Sequence, residues 1–137
     1  MPTTFTWPVR VYYEDTDAGG VVYHAQYLKF MERARTEWLR ELGFDQTRLA
    51  EEQQLMFVAH EVNIKFAKPA RLNDLLEVTA SVESLKRVSL VFAQTISRDD
   101  EIISRASVSI ACVNVQTLKP AALPASLSKL LILLNNL

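Results

Sequence analysis

Apolar residues near the start of the chain recur with the period of a helix. From about His24 they follow one another at spacings of three and four, which places them on one helical face. These residues are Tyr27, Met31, Ala34, Trp38 and Leu42. Gly43 follows directly, as is typical of a C-terminal cap. The pattern predicts a helix of about five turns, long enough to cross a sheet.

The segments around this helix have the character of β-strands. Residues 9–13 are rich in β-branched and aromatic side chains, and so are 57–66, 76–85, 89–96 and 103–115. Hairpin turns are expected at residues 86–87 and 99–101. Residues 44–53 favour a short second helix, and another is expected from Ser126.

One strand, one long helix and four strands in succession predict an α+β fold with an antiparallel sheet. We expect a single domain over residues 1–137, with a core at 8–124 and a tail at 125–137. The helix covers one sheet face. Val91, Ile96 and Val108 suggest that the other face is apolar too, so self-association into a dimer or tetramer is expected.

Composition excludes several classes of protein. The formal net charge of −1 gives no basic surface for nucleic acid. Cys112 is the single cysteine, so no internal disulfide forms and a cytoplasmic location is expected. The first ten residues do not resemble a signal peptide. The apolar run at 127–134 is too short to span a bilayer. Its leucines predict a helical stripe that packs on the protein, with contact to a membrane surface as the alternative.

The candidate chemistry is concentrated in the segment before the long helix. Glu14, Asp15 and Asp17 precede Gly19 and Gly20, and the helix N-terminus that follows attracts negative charge. A carboxylate here suits a general base or a nucleophile. Glu14 and Asp15 are expected to be supporting or solvated.

Other interpretations of these residues stay open. A calcium loop fails on ligand spacing, but a metal site from Asp15, Asp17 and His24 is an alternative. His24 by itself is more often structural, and Tyr13 is either a core aromatic or a hydroxyl aimed into the site. Lys86, Arg87 and Ser89 form either an exposed hairpin end or a clamp for phosphates.

The run VRVYYEDTDAGGVVYHAQYLKFMERARTEWL closely resembles hotdog-fold thioesterases related to 4-hydroxybenzoyl-CoA thioesterase. Within these it is most similar to the Tol–Pal-associated acyl-CoA thioesterases of the YbgC type. The similarity continues through VNIKFAKPARLNDLLEV and SLVFAQ. It implies a curled sheet of about five strands around one helix, with active sites at a dimer interface and no cofactor.

The resemblance also implies residue roles. Asp17 matches the family's catalytic carboxylate, and the N–H of His24 matches the donor that polarises the thioester carbonyl. Tyr13 and the His24 side chain match residues implicated in this subfamily. Gly20 and Tyr23 are expected beside the substrate, and Lys86, Arg87 and Ser89 near the nucleotide of coenzyme A. Glu32 and Glu37, at the position of the acid in other hotdog enzymes, are expected to be solvated pairing residues.

The resulting hypothesis is hydrolysis of short-chain acyl-CoA thioesters. One alternative is a non-catalytic module that binds acyl-CoA or acyl carrier protein and is linked to the Tol–Pal system. A hydratase is a further alternative, but no helix-borne acid–base pair supports it. A peripheral position at the inner membrane is the alternative to a free cytoplasmic location.

Overall fold

The computed structural model describes residues 3–135 and 137. Residues 1, 2 and 136 lie outside this description, so the predicted domain and tail are followed only within it. The elements are β1 (Phe5–Arg10), α1 (His24–Glu41), α2 (Gln46–Gln53), β2 (Leu55–Phe66), β3 (Leu75–Leu85), β4 (Ser89–Arg98), β5 (Glu101–Asn114) and α3 (Ala125–Asn135).

The long helix has the predicted bounds. Helix α1 begins at His24 and ends at Glu41, and Gly43 has a φ of +96°. This left-handed conformation carries little steric cost for glycine, so it ends the helix cleanly. Asp45 then caps α2, since its side chain accepts a hydrogen bond of 3.1 Å from the Arg48 N–H.

The strands form one antiparallel sheet in the order β1-β3-β4-β5-β2. Strand β2 therefore lies at an edge, paired with β5 on one side only. Its register places Phe57 opposite Cys112 and Phe66 opposite Ser104. The predicted hotdog architecture, a sheet with one long helix on its face, is confirmed.

The core under α1 consists of two apolar clusters. Tyr27, Met31 and Ile96 belong to the first, and Trp38 and Phe92 belong to the second. Gln94, only 1% exposed, projects from β4 beneath the helix. Its amide donates to the Met31 carbonyl at 3.0 Å and to the Thr79 carbonyl at 3.2 Å. The polar amide is thereby anchored to main chain on both α1 and β3.

The first strand differs from its predicted bounds. Residues 9–13 were expected to form it, but β1 is Phe5–Arg10 and Tyr13 begins a 3₁₀ turn that ends at Asp15. Arg10 pairs with Leu75, which is the first residue of β3. Beyond Arg10 the chain has no further β3 partner, so the turn begins despite the strand-like composition.

The expectation of a second apolar sheet face is correct for Val91, which alternates with the buried residues of β4, but wrong for Ile96 and Val108. Ile96 and Val108 are buried in the clusters beneath α1. The opposite face carries polar side chains, among them Thr79 and Thr95, whose hydroxyls lie 2.7 Å apart. Period-two patterning identified the strands but assigned these two residues to the wrong side.

Helix α3 packs through its leucine stripe, as predicted. Leu127 and Leu131 are buried, and both belong to the cluster around Trp38. Asn135 accepts a hydrogen bond of 3.2 Å from the Val82 N–H of β3. Among the residues described, none of the helices is both long and apolar enough to cross a membrane.

Candidate active site

The turn before α1 holds Asp17 in a defined geometry. Its N–H donates to the Val21 carbonyl at 2.9 Å, and its Oδ1 accepts from the Gly19 N–H at 2.8 Å. A Cβ on Gly19 would lie 3.2 Å from that same oxygen. Gly20 has a φ of +80°. The two glycines thus serve separate purposes, since the first leaves room for the carboxylate and the second reverses the chain.

Asp15 has a different environment from Asp17. It is 4% exposed, whereas Asp17 is exposed to solvent. The Asp15 carboxylate accepts from the Tyr12 N–H at 2.9 Å and from the Gln26 side-chain amide at 2.8 Å. Its main-chain carbonyl accepts from the Tyr23 N–H at 2.9 Å. Asp15 therefore ties the turn to the first residues of α1.

Asp15 was expected to be either a supporting residue or a solvated one. The structure shows that it is a supporting residue and excludes the solvated role. The structure does not favour the metal alternative, because both oxygens of Asp15 accept hydrogen bonds from Tyr12 and Gln26. Within residues 3–135 and 137, no three His, Cys, Asp or Glu side chains form a cluster suited to a metal ion. The sequence offered no sign that Gln26 would contact Asp15.

His24 is the first residue of α1, and Tyr23 is the residue before it, with extended backbone. The N–H groups of a first helical turn have no acceptor within the helix, so the His24 N–H is open to a ligand. The His24 side chain lines a cleft of about 280 Å³ together with Tyr27, Phe66 and Lys68. The Tyr27 hydroxyl accepts from the Ala70 N–H at 3.0 Å and fixes the wall of this cleft.

Two predicted aromatic residues lie at the surface near this turn. Tyr13 is 81% exposed and begins the 3₁₀ turn. Tyr23 is partly exposed, and its ring lies 4.5 Å from that of His24. The predicted site residues are close together in sequence. They lie between the end of β1 and the start of α1, and they are Tyr13, Asp17, Gly20, Tyr23 and His24.

The predicted basic clamp lies at the other end of the sheet. Lys86 and Ser89 close the β3–β4 hairpin through a hydrogen bond of 2.8 Å from the Lys86 N–H to the Ser89 carbonyl. The opposite end of β3 begins at Leu75, next to Arg10. Eleven-residue β3 separates these ends by about 30 Å. Within one chain, Lys86 and Arg87 are therefore remote from Asp17.

Comparison with known proteins agrees with the fold. The family described as Thioesterase superfamily matches residues 19–104. This chain belongs to the thioesterase superfamily. The matched segment includes His24 and the β3–β4 hairpin and begins just after Asp17.

Individual thioesterases show the similarity at greater length. "Acyl-CoA thioesterase YbgC" of Haemophilus influenzae is 52% identical over 120 residues, which cover 88% of each chain. "Acyl-CoA thioester hydrolase YbgC" of an Escherichia coli O6:H1 strain is 48% identical, covering 91% of this chain and 93% of that one. The crystal structure of a probable thioesterase from Bartonella henselae has a TM-score of 0.85 at 38% identity. It covers 89% of this chain and 100% of that chain.

These similarities confirm the predictions of a hotdog fold and of a thioesterase. They do not favour the non-catalytic alternative. The two helix glutamates have different environments. Glu37 pairs with Arg40 at 3.1 Å, as expected for a pairing residue. Glu32 instead lines a pocket with Arg35, which the pattern of charges along the helix had not indicated.

Proposed function

We propose that this thioesterase hydrolyses short-chain acyl-CoA thioesters at the turn before α1, with Asp17 as the catalytic carboxylate. The observation that carries the proposal is an exposed carboxylate on the turn that leads directly into the open N-terminus of α1. Asp15 supports this arrangement, because its bonds to Gln26 and Tyr23 hold the turn against α1.

The chemistry follows from these positions. Asp17 takes a proton from water as the water attacks the thioester carbonyl, or attacks the carbonyl itself and forms an anhydride that water then opens. In both routes the carbonyl oxygen becomes negatively charged, and the His24 N–H and the helix dipole stabilise it. The His24 imidazole and the Tyr13 hydroxyl are proposed to assist the departing thiolate.

The unpaired edge of β2 supports a dimer. The strand has 12 residues and no proline, and Val62 and Phe66 are 40% and 48% exposed. A long edge strand of this kind is a template for another strand. The other edge, β1, has six residues and contains Pro8, which cannot donate a ladder hydrogen bond. A second copy of β2, antiparallel to the first, is the proposed partner, and pairs of such dimers would give a tetramer.

Such a dimer brings the separated groups together. Phe66 lines the His24 cleft, which we propose as the catalytic cleft, at one end of β2, and Phe57 lies near the other end. An antiparallel copy sets the Phe66 end of one chain beside the Phe57 end of its partner. Val58 and Ser89 pair with the same residue of β5, Ala111, so the basic hairpin lies at the Phe57 end. Lys86 and Arg87 of one chain are thus proposed to bind the phosphates of coenzyme A held at the partner's Asp17.

The relatives' printed names support an acyl-CoA substrate, since both YbgC proteins carry it. Acyl carrier protein as a second carrier and a role beside the Tol–Pal system are proposals that rest on the sequence resemblance. A cytoplasmic location is a proposal that rests on the single cysteine. Ile132 and Leu133, exposed on α3, are the proposed contact if the protein sits at the inner membrane surface.

Replacing Asp17 tests the catalytic assignment. We expect Asp17→Asn to lower kcat by about a hundredfold or more, because the neutral amide neither accepts a proton nor attacks the carbonyl. The measurement is thiol release from a series of acyl-CoA thioesters of increasing length. Asp100→Asn, at the exposed β4–β5 turn, is the matched control and should retain activity. Turnover by Asp17→Asn at the wild-type rate would refute the assignment.

A further inference from the structure

A second pocket lies between α1 and the sheet, away from the catalytic cleft. Its volume is about 210 Å³. One wall is apolar and includes Phe57, Phe92 and Leu127, while α1 contributes the polar side chains Glu32 and Arg35. Arg35 follows His24 by eleven residues, which is about 16 Å along the helix axis.

Arg35 is held rigidly at this pocket. Its Nη1 donates to Gln94 Oε1 at 2.9 Å, and its guanidinium lies 6.0 Å from the centre of the Phe92 ring. Gln94 is itself anchored by the two main-chain carbonyls described above. Within residues 3–135 and 137, no carboxylate lies within 4.0 Å of Arg35. The side chain is therefore a fixed cation without a salt-bridge partner in the described chain.

The remaining Arg35 donors are available to a ligand. None of the fully buried side-chain nitrogen and oxygen atoms in the described chain lacks a hydrogen-bond partner. The guanidinium nitrogens beyond Nη1 therefore retain access to solvent along the pocket. Burial lowers the pKa of Arg35, and the nearby Glu32 carboxylate partly opposes this. Arg35 and Glu32 together offer a donor and an acceptor with no net charge.

This combination selects a particular chemical group. A hydroxyl accepts from a guanidinium and donates to a carboxylate, so it satisfies both residues. A methyl end would strip water from the half-buried Arg35 guanidinium without replacing its hydrogen bonds, which is costly. A carboxylate end would be attracted by Arg35 and repelled by Glu32. The apolar wall suits the methylene groups that precede the hydroxyl.

The proposed dimer decides which active site this pocket serves. Phe57 and Ala59 of β2 line the pocket, and Phe66 lines the catalytic cleft. In the antiparallel arrangement, the partner's cleft faces the Phe57 end of this chain. We therefore assign the pocket to the partner's active site and not to His24 of the same chain, from which Arg35 is separated by about 16 Å along the helix axis.

We infer that the Arg35–Glu32 pocket of each chain binds the far end of the acyl group held at the partner's active site, and that it favours acyl groups ending in a hydroxyl. This inference rests on the proposed function and names its substrate class. Arg35 is a specificity-determining residue for the reaction and takes no part in the bond-breaking step.

Matched substrates test the inference. Thiol release is measured with butanoyl-, hexanoyl- and octanoyl-CoA and with their ω-hydroxy and ω-carboxy counterparts. At one or more lengths, we expect the wild type to favour the hydroxyl by about tenfold in kcat/KM, corresponding to one satisfied buried group. Arg35→Met should reduce this preference to about threefold or less, and so should the surface variant Glu32→Met, which removes the acceptor.

The controls separate this inference from the proposed function. Arg48→Met, on the exposed side of α2, should keep the hydroxyl preference. Hydrolysis of the plain acyl thioesters with no hydroxyl preference at any length would overturn the inference and leave the proposed function intact. A larger preference for the carboxylate would overturn the hydroxyl assignment. Undiminished turnover by Asp17→Asn would instead refute the catalytic proposal.

Mixed dimers test whether the pocket acts on the partner's site. An Asp17→Asn chain is co-expressed with an Arg35→Met chain, and the mixed species is isolated through two different tags. If the inference is correct, one active site of the mixed dimer combines the intact Asp17 of the Arg35→Met chain with the intact Arg35 of the Asp17→Asn chain. The hydroxyl preference then returns. Activity without the preference would show that both residues act within one chain and would overturn the arrangement, as would failure of the chains to associate.

Discussion

Asp15 and Asp17 are two residues apart on one turn, and the structure gives them opposite environments. Asp15 is buried and accepts from the Tyr12 N–H and the Gln26 amide. Asp17 is exposed, and its side chain accepts from the Gly19 N–H in the same turn. The difference separates structural support from chemistry, since a carboxylate that holds the turn in place is unavailable to substrate, and an exposed one remains available.

Asp15 is a buried carboxylate that has no cation beside it in the described part of the chain, and its surroundings explain why it is stable there. Asp15 lies against the first turn of α1, where unpaired N–H groups and the helix dipole stabilise negative charge. Its bonds to neutral donors replace those lost from water. The same helix end is open to the oxyanion proposed at His24. One helix N-terminus therefore supports both the positioning carboxylate and the proposed reaction.

Removing the buried carboxylate should have the largest effect on stability. Asp15→Ala leaves the Tyr12 N–H and the Gln26 amide without their acceptor, so we expect the free energy of unfolding to fall by about 1–3 kcal/mol. Urea unfolding measures this change. Asp17→Ala is the control and should shift the same quantity by about 0.5 kcal/mol or less. Equal losses in the two variants would remove the distinction between the two acids.

Gly20 tests whether the turn needs its unusual backbone conformation. Gly20→Ala meets no atom within 4 Å, so any cost comes from the φ of +80°. We expect a loss of about 1 kcal/mol in unfolding free energy. Ala18→Gly, in the same exposed turn, provides a control for composition. A variant as stable as the wild type would show that the turn relaxes readily.

Asp74 extends the comparison to a carboxylate paired with a cation. Burial raises its pKa, but hydrogen bonds from the Arg71 N–H and from Arg98 outweigh this and lower the pKa overall. A depressed pKa contributes stability above the unfolded value of about 3.9, and this is lost as pH falls through the folded value. The unfolding free energy is therefore larger at neutral pH than at acidic pH by the contribution of this pair. Asp74→Asn removes that contribution, so we expect the difference between the two pH values to shrink by about 1 kcal/mol or less.

Urea unfolding at neutral and acidic pH measures this effect. Asp99→Asn, at the exposed β4–β5 turn, should leave the acid dependence as it is in the wild type. If Asp74→Asn also leaves it unchanged, the Arg98 pair contributes nothing to acid sensitivity. The effect is the smallest of the three because the pair is partly solvated.

Local signals predicted most of the elements and the position of the candidate site. The helical period and Gly43 correctly placed α1, and the Asp–Gly–Gly run before His24 marked the candidate site. Such features depend on residues a few positions apart, so the sequence alone carries them. The first strand was displaced because its end depends on β3, whose first residue lies more than sixty positions later.

The sequence by itself determined the long helix, the antiparallel strands and membership in the thioesterase superfamily. Tertiary structure alone decided that Asp15 is buried, that Ile96 and Val108 face the helix, and that Arg35 lies in a pocket with Glu32. It also decided that Lys86 and Asp17 lie at opposite ends of the sheet. Each of these facts depends on contacts between distant segments, and periodicity does not reveal which distant side chains satisfy a buried polar group.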